Sequence, residues 1–535
     1  MKHIQTYGRQ AVKLGIACLF VLFQGQDVFS STSTTPQTLD EINKKVSPGS
    51  IVLLESGTYT TPIAPASSGT KDKPIIYKPA KGASPLFKNV SPAILMKDKS
   101  YVKIEGVKFL DCSQFMSIES SSHITIENCD FENGKAWESC RLKTMGDYFH
   151  FKNNSLKNGT DLLTIQGGSF HLIEGNTFNK ASHTCLVFMG VHNSVIRNNR
   201  LINPIQKLLE IFTTRAREWS GPYRKSEHIL IENNLFGPSG HSELYQEKKL
   251  SASWGTQFAG VKCILRNNIF AGCGGGMDFT GYGMIDGEGD SPEAVFNNSN
   301  RIYNNTIYSN GQKGHYASGP GILLSHNEHT QFFDNIFMNN ILYANSIFKD
   351  AHTRKDVPSV QIAFRSPANP SETRFYCNNI IAGGGKDKAV FWLKRKNIGY
   401  TVDAYEATFP RFGGNNIQAN PMFVNAKPNL TSLSRKGYEL KKNSPCVDAG
   451  GFLTHAIGEG AGSAIKVGDP YFFSDGFGVV EGDIICVGAK EVQVTTVDYR
   501  NKQLILSKPI QWSDKAPISL TYKGSAPDIG AIESY

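Results

Sequence analysis

The sequence predicts an all-β fold, a parallel β-solenoid with a small antiparallel β insertion near its C-terminal end. Two observations predict the solenoid: a phrase of alternating apolar residues followed by Asn recurs along the chain, and its first copies lie 22 to 26 residues apart. The composition agrees with a folded chain, because 40% of the 535 residues are hydrophobic and only 19% are charged.

The repeated phrase is well represented by residues 229–236, ILIENNLF, in which an apolar strand precedes two Asn. The last Asn of each copy, or a Gly in the first, serves as an anchor: Gly106, Asn128, Asn154, Asn176, Asn199, Asn234, Asn268, Asn305, Asn335, Asn379 and Asn416. The first four intervals are 22, 26, 22 and 23 residues, and the next six are 35, 34, 37, 30, 44 and 37. Because Asn tolerates a left-handed backbone and bonds to nearby backbone, we expect stacked amides to form a ladder at one corner.

Residues 1–30 are predicted to be a secretory signal peptide. Lys2, Arg9 and Lys13 supply a basic start, and an apolar run follows at 14–23. Such a run is too short to cross a hydrocarbon core roughly 30 Å thick as a helix. We therefore expect a secreted protein, extracellular or periplasmic, without stable membrane insertion.

The rest of the chain divides into three predicted parts. The solenoid is predicted over residues 31–450, the inserted β-domain over 451–523, and a closing segment of the solenoid over 524–535. Within the insertion, alternating residues predict antiparallel strands at 482–488, 492–498 and 503–507.

Charge and cysteine content exclude some classes of protein. Lys and Arg number 56 against 47 Asp and Glu, a mild excess of +9 that suits an anionic partner but is too diffuse to indicate nucleic acid. Nine of the ten Cys follow the predicted signal, without a C-x-x-C pair, which is neither a disulfide framework nor a zinc site. We expect these Cys to be buried as small apolar side chains.

Four segments carry a resemblance to known proteins. Residues 47–60 look like the first coil of secreted β-helix proteins, and residues 69–77 resemble the second coil of the chondroitinase B and alginate lyase group. Residues 443–450 and 524–533 resemble two halves of a closing segment that is often contiguous in secreted β-helices.

The chain over residues 35–450 therefore resembles the right-handed parallel β-helix superfamily, which includes pectate lyases, the chondroitinase B and alginate lyase group, alginate epimerases and polygalacturonases. The resemblance implies a right-handed helix that acts on polysaccharides. The chain lacks the Arg-His-Gly and Asn-Gly-x-Glu elements of the chondroitinase B group, so no specific family follows from it.

The long intervals after Asn199 predict loops on the middle coils, and we expect the binding groove there. Alternation along the strand midway between anchors predicts that these side chains are exposed: Arg141, Lys143, Thr164, Gln166 and Glu210. Alternation does not decide whether the His183 side chain points inward or outward. Because parallel strands stack about 4.8 Å apart, Arg141 or Lys143, Gln166, His183 and Glu210 are predicted to form a polar ladder spanning roughly 15 Å.

The loops beside this ladder are rich in cations and aromatic rings. Arg pairs with carboxylate or sulfate in two-point geometry, and aromatic rings pack against sugar faces. The predicted substrate contacts are Gln166, Glu210, Arg215, Arg217, Trp219, Arg224, His241 and His315.

The leading functional hypothesis is a secreted, monomeric polysaccharide lyase that binds an acidic, uronic-acid-containing glycan and no nucleic acid. β-Elimination needs a group that neutralises the C6 carboxylate, a base for the C5 proton and an acid for the leaving oxygen. The candidate bases are Arg141, Lys143 and Lys207, and the candidate proton donors are His183 and Tyr223. Arg215 and Arg217 are candidate carboxylate clamps, and Ca²⁺ is a possible cofactor with Glu210 as a metal or hydroxyl contact.

Two alternatives remain open. A glycoside hydrolase on the same scaffold would need two carboxyl groups, for which the best candidates are Asp278, Asp286, Glu288 and Asp290. A non-catalytic glycan-binding surface protein is equally compatible with the fold, because a fold does not fix an activity.

Overall fold

Three long β-sheets wind around one core, as the repeat predicts. The computed structural model describes residues 29–143, 146–213, 225–239, 254–281, 295–311, 319–326, 330–345, 348–349, 356–357, 360–365, 368–382, 388–393, 396–427 and 434–534. The first sheet has 14 strands, and the second and third have 12 each. Between residues 75 and 393 each coil contributes one strand to each sheet, and successive coils pair in parallel register, so the predicted parallel β-helix is confirmed.

The strands of the first sheet are Ser30–Thr34, Ser50–Leu54, Ile75–Pro79, Ser100–Glu105, Ser122–Glu127, Phe149–Lys152, Leu172–Glu174, His192–Arg197, Glu227–Glu232, Ile264–Arg266, Arg301–Tyr303, Asn335–Met338, Thr373–Tyr376 and Gly413–Gly414. Those of the second sheet are Gly57–Tyr59, Pro85–Lys88, Lys108–Leu110, Asp130–Glu132, Ser155–Gly159, Thr177–Ala181, Arg200–Ile202, Leu235–Phe236, Ile269–Ala271, Thr306–Tyr308, Ile341–Tyr343 and Asn379–Ile381.

The strands of the third sheet are Ile94–Lys97, Met116–Glu119, Glu138–Lys143, Asp161–Gln166, Thr184–Met189, Lys207–Phe212, Trp254–Phe258, Gly275–Thr280, Ile322–Ser325, Ile362–Phe364, Phe391–Leu393 and the antiparallel Ile398–Tyr400. Two short pairs join Val295–Asn298 with Thr330–Phe333 and Phe348–Lys349 with Asp356–Val357. Among the described residues, the helices are Leu39–Lys45 and Val402–Thr408, with 3₁₀ turns at Pro370–Glu372, Arg435–Tyr438, Pro470–Phe472 and Gly476–Gly478.

The core consists of side chains that stack on their counterparts in the next coil. Tyr59, Phe87, Phe109 and Phe131 form such a column, with ring centroids 4.8, 5.3 and 4.8 Å apart. Eight of the nine Cys in the described part of the chain are buried and all nine are unpaired, which confirms the expectation that they act as small apolar side chains.

A ladder of buried Asn runs along the corner between the first and second sheets. Each amide Nδ2 donates to a backbone carbonyl and to the Oδ1 of the Asn in the next coil, for example Asn199 to Asn234 at 3.0 Å, except that the last residue, Asn416, donates to Glu406 Oε1 at 2.7 Å. The ladder consists of Asn154, Asn176, Asn199, Asn234, Asn268, Asn305, Asn340, Asn378 and Asn416.

Four of the predicted anchors do not belong to this amide ladder. Gly106 and Asn128, with φ of 70° and 55°, hold the left-handed position that precedes the ladder, so the ladder position itself falls on the next residue. Asn335 belongs to a second ladder, in which it accepts from Asn300 at 2.8 Å, and Asn379 follows the ladder residue and donates to the Ala419 carbonyl. The left-handed turn and the amide ladder thus depend on two adjacent residues. Taking the last Asn of each copy as the anchor does not tell which of the two positions that Asn occupies.

Replacing Asn234 with Ala is expected to lower the free energy of unfolding by about 2 kcal/mol. The Asn234 side chain accepts from the backbone N–H of Asn199 at 2.9 Å and donates to the Ile196 carbonyl at 2.9 Å, and both would be left buried without a partner. Urea titration followed by circular dichroism measures the change. Asn501→Ala, in an exposed turn, is the control, and equal changes in the two variants would contradict a structural role for the ladder.

The C-terminal insertion forms a six-stranded antiparallel sheet whose strands are Thr454–His455, Pro517–Leu520, Ile484–Val487, Lys490–Asp498, Gln503–Trp512 and Gly460–Lys466. Its apolar side chains pack against the outer face of the first sheet, where Leu172, Val195 and Leu230 share a cluster with Ile465 and Phe472. The predicted antiparallel insertion is therefore confirmed.

A buried ion cluster joins this sheet to the solenoid. The Arg266 guanidinium donates to both carboxylate oxygens of Asp483 at 2.7 and 2.5 Å and to Glu232 Oε2 at 2.8 Å. The Arg266 side chain is only 5% exposed, so these bonds form away from water. The cluster fixes the C-terminal sheet to two adjacent coils of the first sheet.

The closing segment packs on the second sheet. Its two halves meet, because the Ile529 N–H donates to the Cys446 carbonyl at 2.9 Å and the Gly450 N–H donates to the Pro527 carbonyl at 2.7 Å. Ile529 and Ala531 then contact apolar residues of the second sheet. C-terminal segments thus cover the outer faces of the first two sheets, which leaves the third sheet for the site.

The N-terminal boundary lies at the first strand, which begins at Ser30, the last residue of the predicted signal peptide. Residues 1–28, and with them the basic start and the apolar run, lie outside the described residues. Among the helices in the described part of the chain, none has the length and apolar character needed to cross a membrane.

Candidate functional site

The outer face of the third sheet carries a row of side chains from successive coils, all polar except Val187. Arg141 pairs in register with Thr164, Thr164 with Val187, and Val187 with Glu210. At about 4.8 Å a strand, Arg141 and Glu210 are about 14 Å apart along the solenoid. We call this the outer row; it continues from Glu210 through Gln257 to Asp278.

A His–Asp dyad lies beside the outer row. His183 Nδ1 is 2.7 Å from Asp161 Oδ1, and the same oxygen accepts from the Thr184 N–H at 3.1 Å. Burial raises the pKa of Asp161, while the contact with His183 opposes that rise. The His183 side chain is 21% exposed, so the contact at Nδ1 leaves the ring in reach of solvent. An imidazole held in this way at Nδ1 has Nε2 available for proton transfer.

A Lys–Glu pair lies on the next strand. Lys207 Nζ donates to Glu210 Oε1 at 2.6 Å, and Thr184 Oγ1 donates to Oε2 at 2.8 Å, so both carboxylate oxygens are occupied. The Lys207 N–H also donates to the His183 carbonyl at 3.1 Å, which places the two residues side by side on adjacent coils. A cation therefore lies next to the dyad.

Glu138 organises the coil before the dyad. Its carboxylate accepts from Gln166 Nε2 at 2.8 Å and lies 3.1 Å from Arg141 Nε. Burial raises the pKa of Glu138, while the positive charges of Arg141 and Lys143 oppose the rise. These contacts hold Arg141 and Gln166 along the edge of the outer row.

Asp278 closes the far end of the outer row. Its carboxylate accepts from Ser325 Oγ, and burial raises its pKa to about 6 against the opposing effects of Ser325, Arg365 and Lys207. A carboxyl group with this pKa can hold a proton in mildly acidic solution.

An exposed aromatic ring borders the dyad on its other side. Trp137 is 64% exposed, and its ring centroid lies 5.2 Å from that of His183. A large exposed indole beside polar groups is suited to stacking on a sugar face.

The prediction that Thr164, Gln166 and Glu210 are exposed was wrong. Their exposed fractions are 0%, 3% and 3%. They lie on the outer side of the sheet, but that side is itself packed, as shown by an apolar cluster of Val187, Met189, Phe212 and Ala259. Alternation predicts the direction in which a side chain points and not what covers it. Arg141, Lys143, His183 and Lys207 are all partly exposed.

The other predicted contacts lie outside the described residues: Arg215, Arg217, Trp219, Tyr223, Arg224, His241 and His315. The same holds for three of the four candidate hydrolase carboxylates, Asp286, Glu288 and Asp290. The described site therefore consists of the third-sheet residues alone.

Sequence reasoning missed Asp161, Glu138 and Trp137 as site residues. Strict alternation from Leu163 turns Asp161 toward the core, but Leu162 and Leu163 both enter the core, which shifts the phase. Their positions in the repeat could have identified the two carboxylates, because Glu138 and Asp161 occupy the same place at the start of neighbouring strands.

The described residues do not fit a calcium site at Glu210. Ca²⁺ takes six to eight oxygen ligands, whereas the Glu210 carboxylate is occupied by an ammonium and a hydroxyl donor. Within the described ranges, no group of three or more His, Cys, Asp or Glu is arranged to hold a metal ion.

Comparison with known proteins places the chain by its fold. Residues 92–215 match the family model of the right handed beta helix region, and the chain is a right-handed parallel β-helix. The comparison with curated proteins found no match.

Several solved structures are similar to this chain. Pectate lyase Pel9A is 12% identical, with 95% of this chain and 98% of that chain covered and a TM-score of 0.42. A PL6 family polysaccharide lyase from Pseudopedobacter saltans is 14% identical, with 77% and 96% covered and a TM-score of 0.40. A mannuronan C-5 epimerase module from Azotobacter vinelandii is 11% identical, with 64% and 94% covered and a TM-score of 0.39.

Proposed function

We propose that the protein is an exported lyase that cleaves a uronic-acid-containing polysaccharide by β-elimination on the outer face of the third sheet. One observation carries the proposal: the His183–Asp161 dyad and the Lys207–Glu210 pair lie side by side on adjacent coils. This arrangement combines a cation, which can neutralise the C6 carboxylate, with an imidazole, which can serve in turn as the base and the acid of the elimination. The basic and apolar leader favours export.

In the proposed reaction, His183 Nε2 removes the C5 proton of a uronate unit. The C5–H electrons form the C4–C5 double bond, the C4–O4 bond breaks, and the imidazolium returns the proton to O4. Asp161, 2.7 Å from Nδ1, would stabilise the imidazolium that forms. Tyr223 stays a second candidate for the proton donor.

The cations of the site would lower the cost of forming negative charge on the C6 carboxylate. Lys207 is one coil from His183, and Arg141 lies on the outer row three strands from Glu210. We assign charge neutralisation to Lys207, with Glu210 as its positioning residue, and substrate binding to Arg141 and Lys143. Gln166 is 3% exposed and donates to Glu138, so we assign it to positioning Glu138 and not to contact with the glycan.

The proposal is tested by incubating the purified protein with a panel of polyuronates and following the ultraviolet absorbance of the unsaturated product together with new reducing ends. Lys207→Met is expected to lower the rate by about 10²-fold, because the charge on the reacting carboxylate would be left uncompensated. Lys466→Met, on the C-terminal sheet, removes an equal charge from an exposed site and should leave the rate unchanged. Absence of unsaturated product with every polyuronate would refute the lyase.

Asp278 also supports a second candidate, a glycoside hydrolase, which needs two carboxyl groups. Glu210, two strands from Asp278, is 3% exposed and both its oxygens are occupied, so the remaining candidates for the second carboxyl group are Asp286, Glu288 and Asp290. The pKa of about 6 at Asp278 suits a general acid. New reducing ends without unsaturated product would favour this candidate over the lyase.

A further inference from the structure

A cavity of about 370 Å³ lies at the corner between the second and third sheets. Four successive coils line it, and its lining includes Asn133, Lys135, Asn158, Lys180, Ser182 and Asn203. In the third of these coils the lining ends at Ser182, the residue before His183, so the cavity adjoins the candidate site.

The lining has the chemistry of an anion site. Lys135 and Lys180 are both exposed, and none of the described residues that line the cavity is acidic. Among these lining residues the only charged groups are therefore two ammonium groups, which would attract a carboxylate.

The remaining lining groups suit sugar hydroxyls. Asn158 Nδ2 donates to Asn133 Oδ1 at 2.9 Å, and the hydroxyls of Ser182 and Thr160 are 3.2 Å apart. The amide oxygen of Asn203 is buried with no hydrogen-bond partner in the described part of the chain. The amide and hydroxyl groups of Asn133, Asn158, Thr160 and Ser182 are of the kind that exchange hydrogen bonds with sugar hydroxyls.

An aromatic platform connects the cavity to the dyad. Trp137 follows Lys135 by two residues, its carbonyl accepts from the Asp161 N–H at 2.7 Å, and its exposed ring lies beside His183. A glycan chain stacked on Trp137 would thus have one sugar at His183 and another in the cavity.

We propose that this cavity is an accessory subsite for a uronate unit of the glycan chain, with Lys135 and Lys180 binding its carboxylate and Trp137 stacking on the adjoining sugar. The inference rests on the proposed function for the identity of the chain, but the cavity binds the glycan whether or not cleavage occurs. The subsite lengthens the bound segment beyond the reacting unit, so affinity depends on a carboxylate remote from the reacting bond.

The test measures binding of four uronate tetrasaccharides, built from galacturonate, mannuronate, guluronate or the glucuronate units of chondroitin, by titration calorimetry and tryptophan fluorescence. Lys135→Met/Lys180→Met is expected to weaken binding of the best ligand about ten-fold. Lys466→Met/Lys508→Met makes the same charge change on the exposed C-terminal sheet and should leave affinity unchanged. Trp137→Phe should abolish the fluorescence change on binding.

Two outcomes would overturn the subsite: no binding of any of the four tetrasaccharides, or equal affinity in the wild type and the Lys135→Met/Lys180→Met variant. The result also separates this inference from the lyase. Binding that depends on the two lysines without any elimination product supports the subsite and refutes the lyase. Elimination with a KM that is unchanged in the double variant supports the lyase and refutes the subsite.

Discussion

Replacing His183 with Gln is expected to lower the turnover of a polyuronate by about 10²–10⁴-fold, with little change in KM. Gln retains a polar side chain of similar size but cannot take up and return a proton. Asp161 would still have a hydrogen-bond donor on the neighbouring coil, because it accepts from the Thr184 N–H, so the fold should persist. Initial rates of unsaturated-product formation measure the effect.

Two further variants separate proton transfer from structure. Asp161→Asn keeps the volume of the carboxyl group but removes the charge that stabilises an imidazolium, so we expect a smaller loss of turnover and a changed pH profile. His455→Gln, at an exposed position of the C-terminal sheet, should leave turnover unchanged. Full activity of His183→Gln would remove this residue from the mechanism.

Replacing Arg266 with Met is expected to lower the free energy of unfolding by about 3–5 kcal/mol. Arg266 bridges Glu232 and Asp483, and without it two buried carboxylates would face each other without a cation. Denaturant titration, followed by tryptophan fluorescence, measures the loss. Arg500→Met, in an exposed turn of the same C-terminal sheet, is the matched control.

A triple variant distinguishes the charge of Arg266 from its packing. Combining Arg266→Met with Glu232→Gln and Asp483→Asn removes the uncompensated charges, so the triple variant should be more stable than Arg266→Met alone. If the triple variant were no more stable, the loss would come from packing of the guanidinium and not from the buried carboxylates. The Arg266 guanidinium also donates to the Tyr303 hydroxyl at 3.0 Å, a contact that Arg266→Met removes in both variants.

Most of the fold could be predicted from the sequence, because each coil repeats the same local requirement. A left-handed residue and a buried amide turn the chain at one corner in coil after coil, and pairs such as Asn198–Asn199 meet both needs. The pattern was less informative where other residues take the left-handed position, as Cys377 does before Asn378.

The candidate site was predicted less completely. Alternation placed Arg141, Lys143 and Glu210 on the outer face, since one inward residue fixes its neighbours. It did not find Asp161, because two consecutive leucines enter the core there and change the phase. The contact between Asp161 and His183 joins residues 22 positions apart, and such pairing depends on the register between coils, which a single strand does not encode.

The C-terminal sheet rests on Leu172, Val195, Leu230 and other side chains of the first sheet that were synthesised some 300 residues earlier. Until the C-terminal sheet has been synthesised, the middle coils expose a row of apolar side chains on the outer face of the first sheet. A truncated chain that stops at residue 450 would retain every residue of the proposed reaction centre and still be prone to aggregate. Loss of the last 85 residues should therefore reduce the yield of soluble protein, although the residues of the proposed reaction centre are retained.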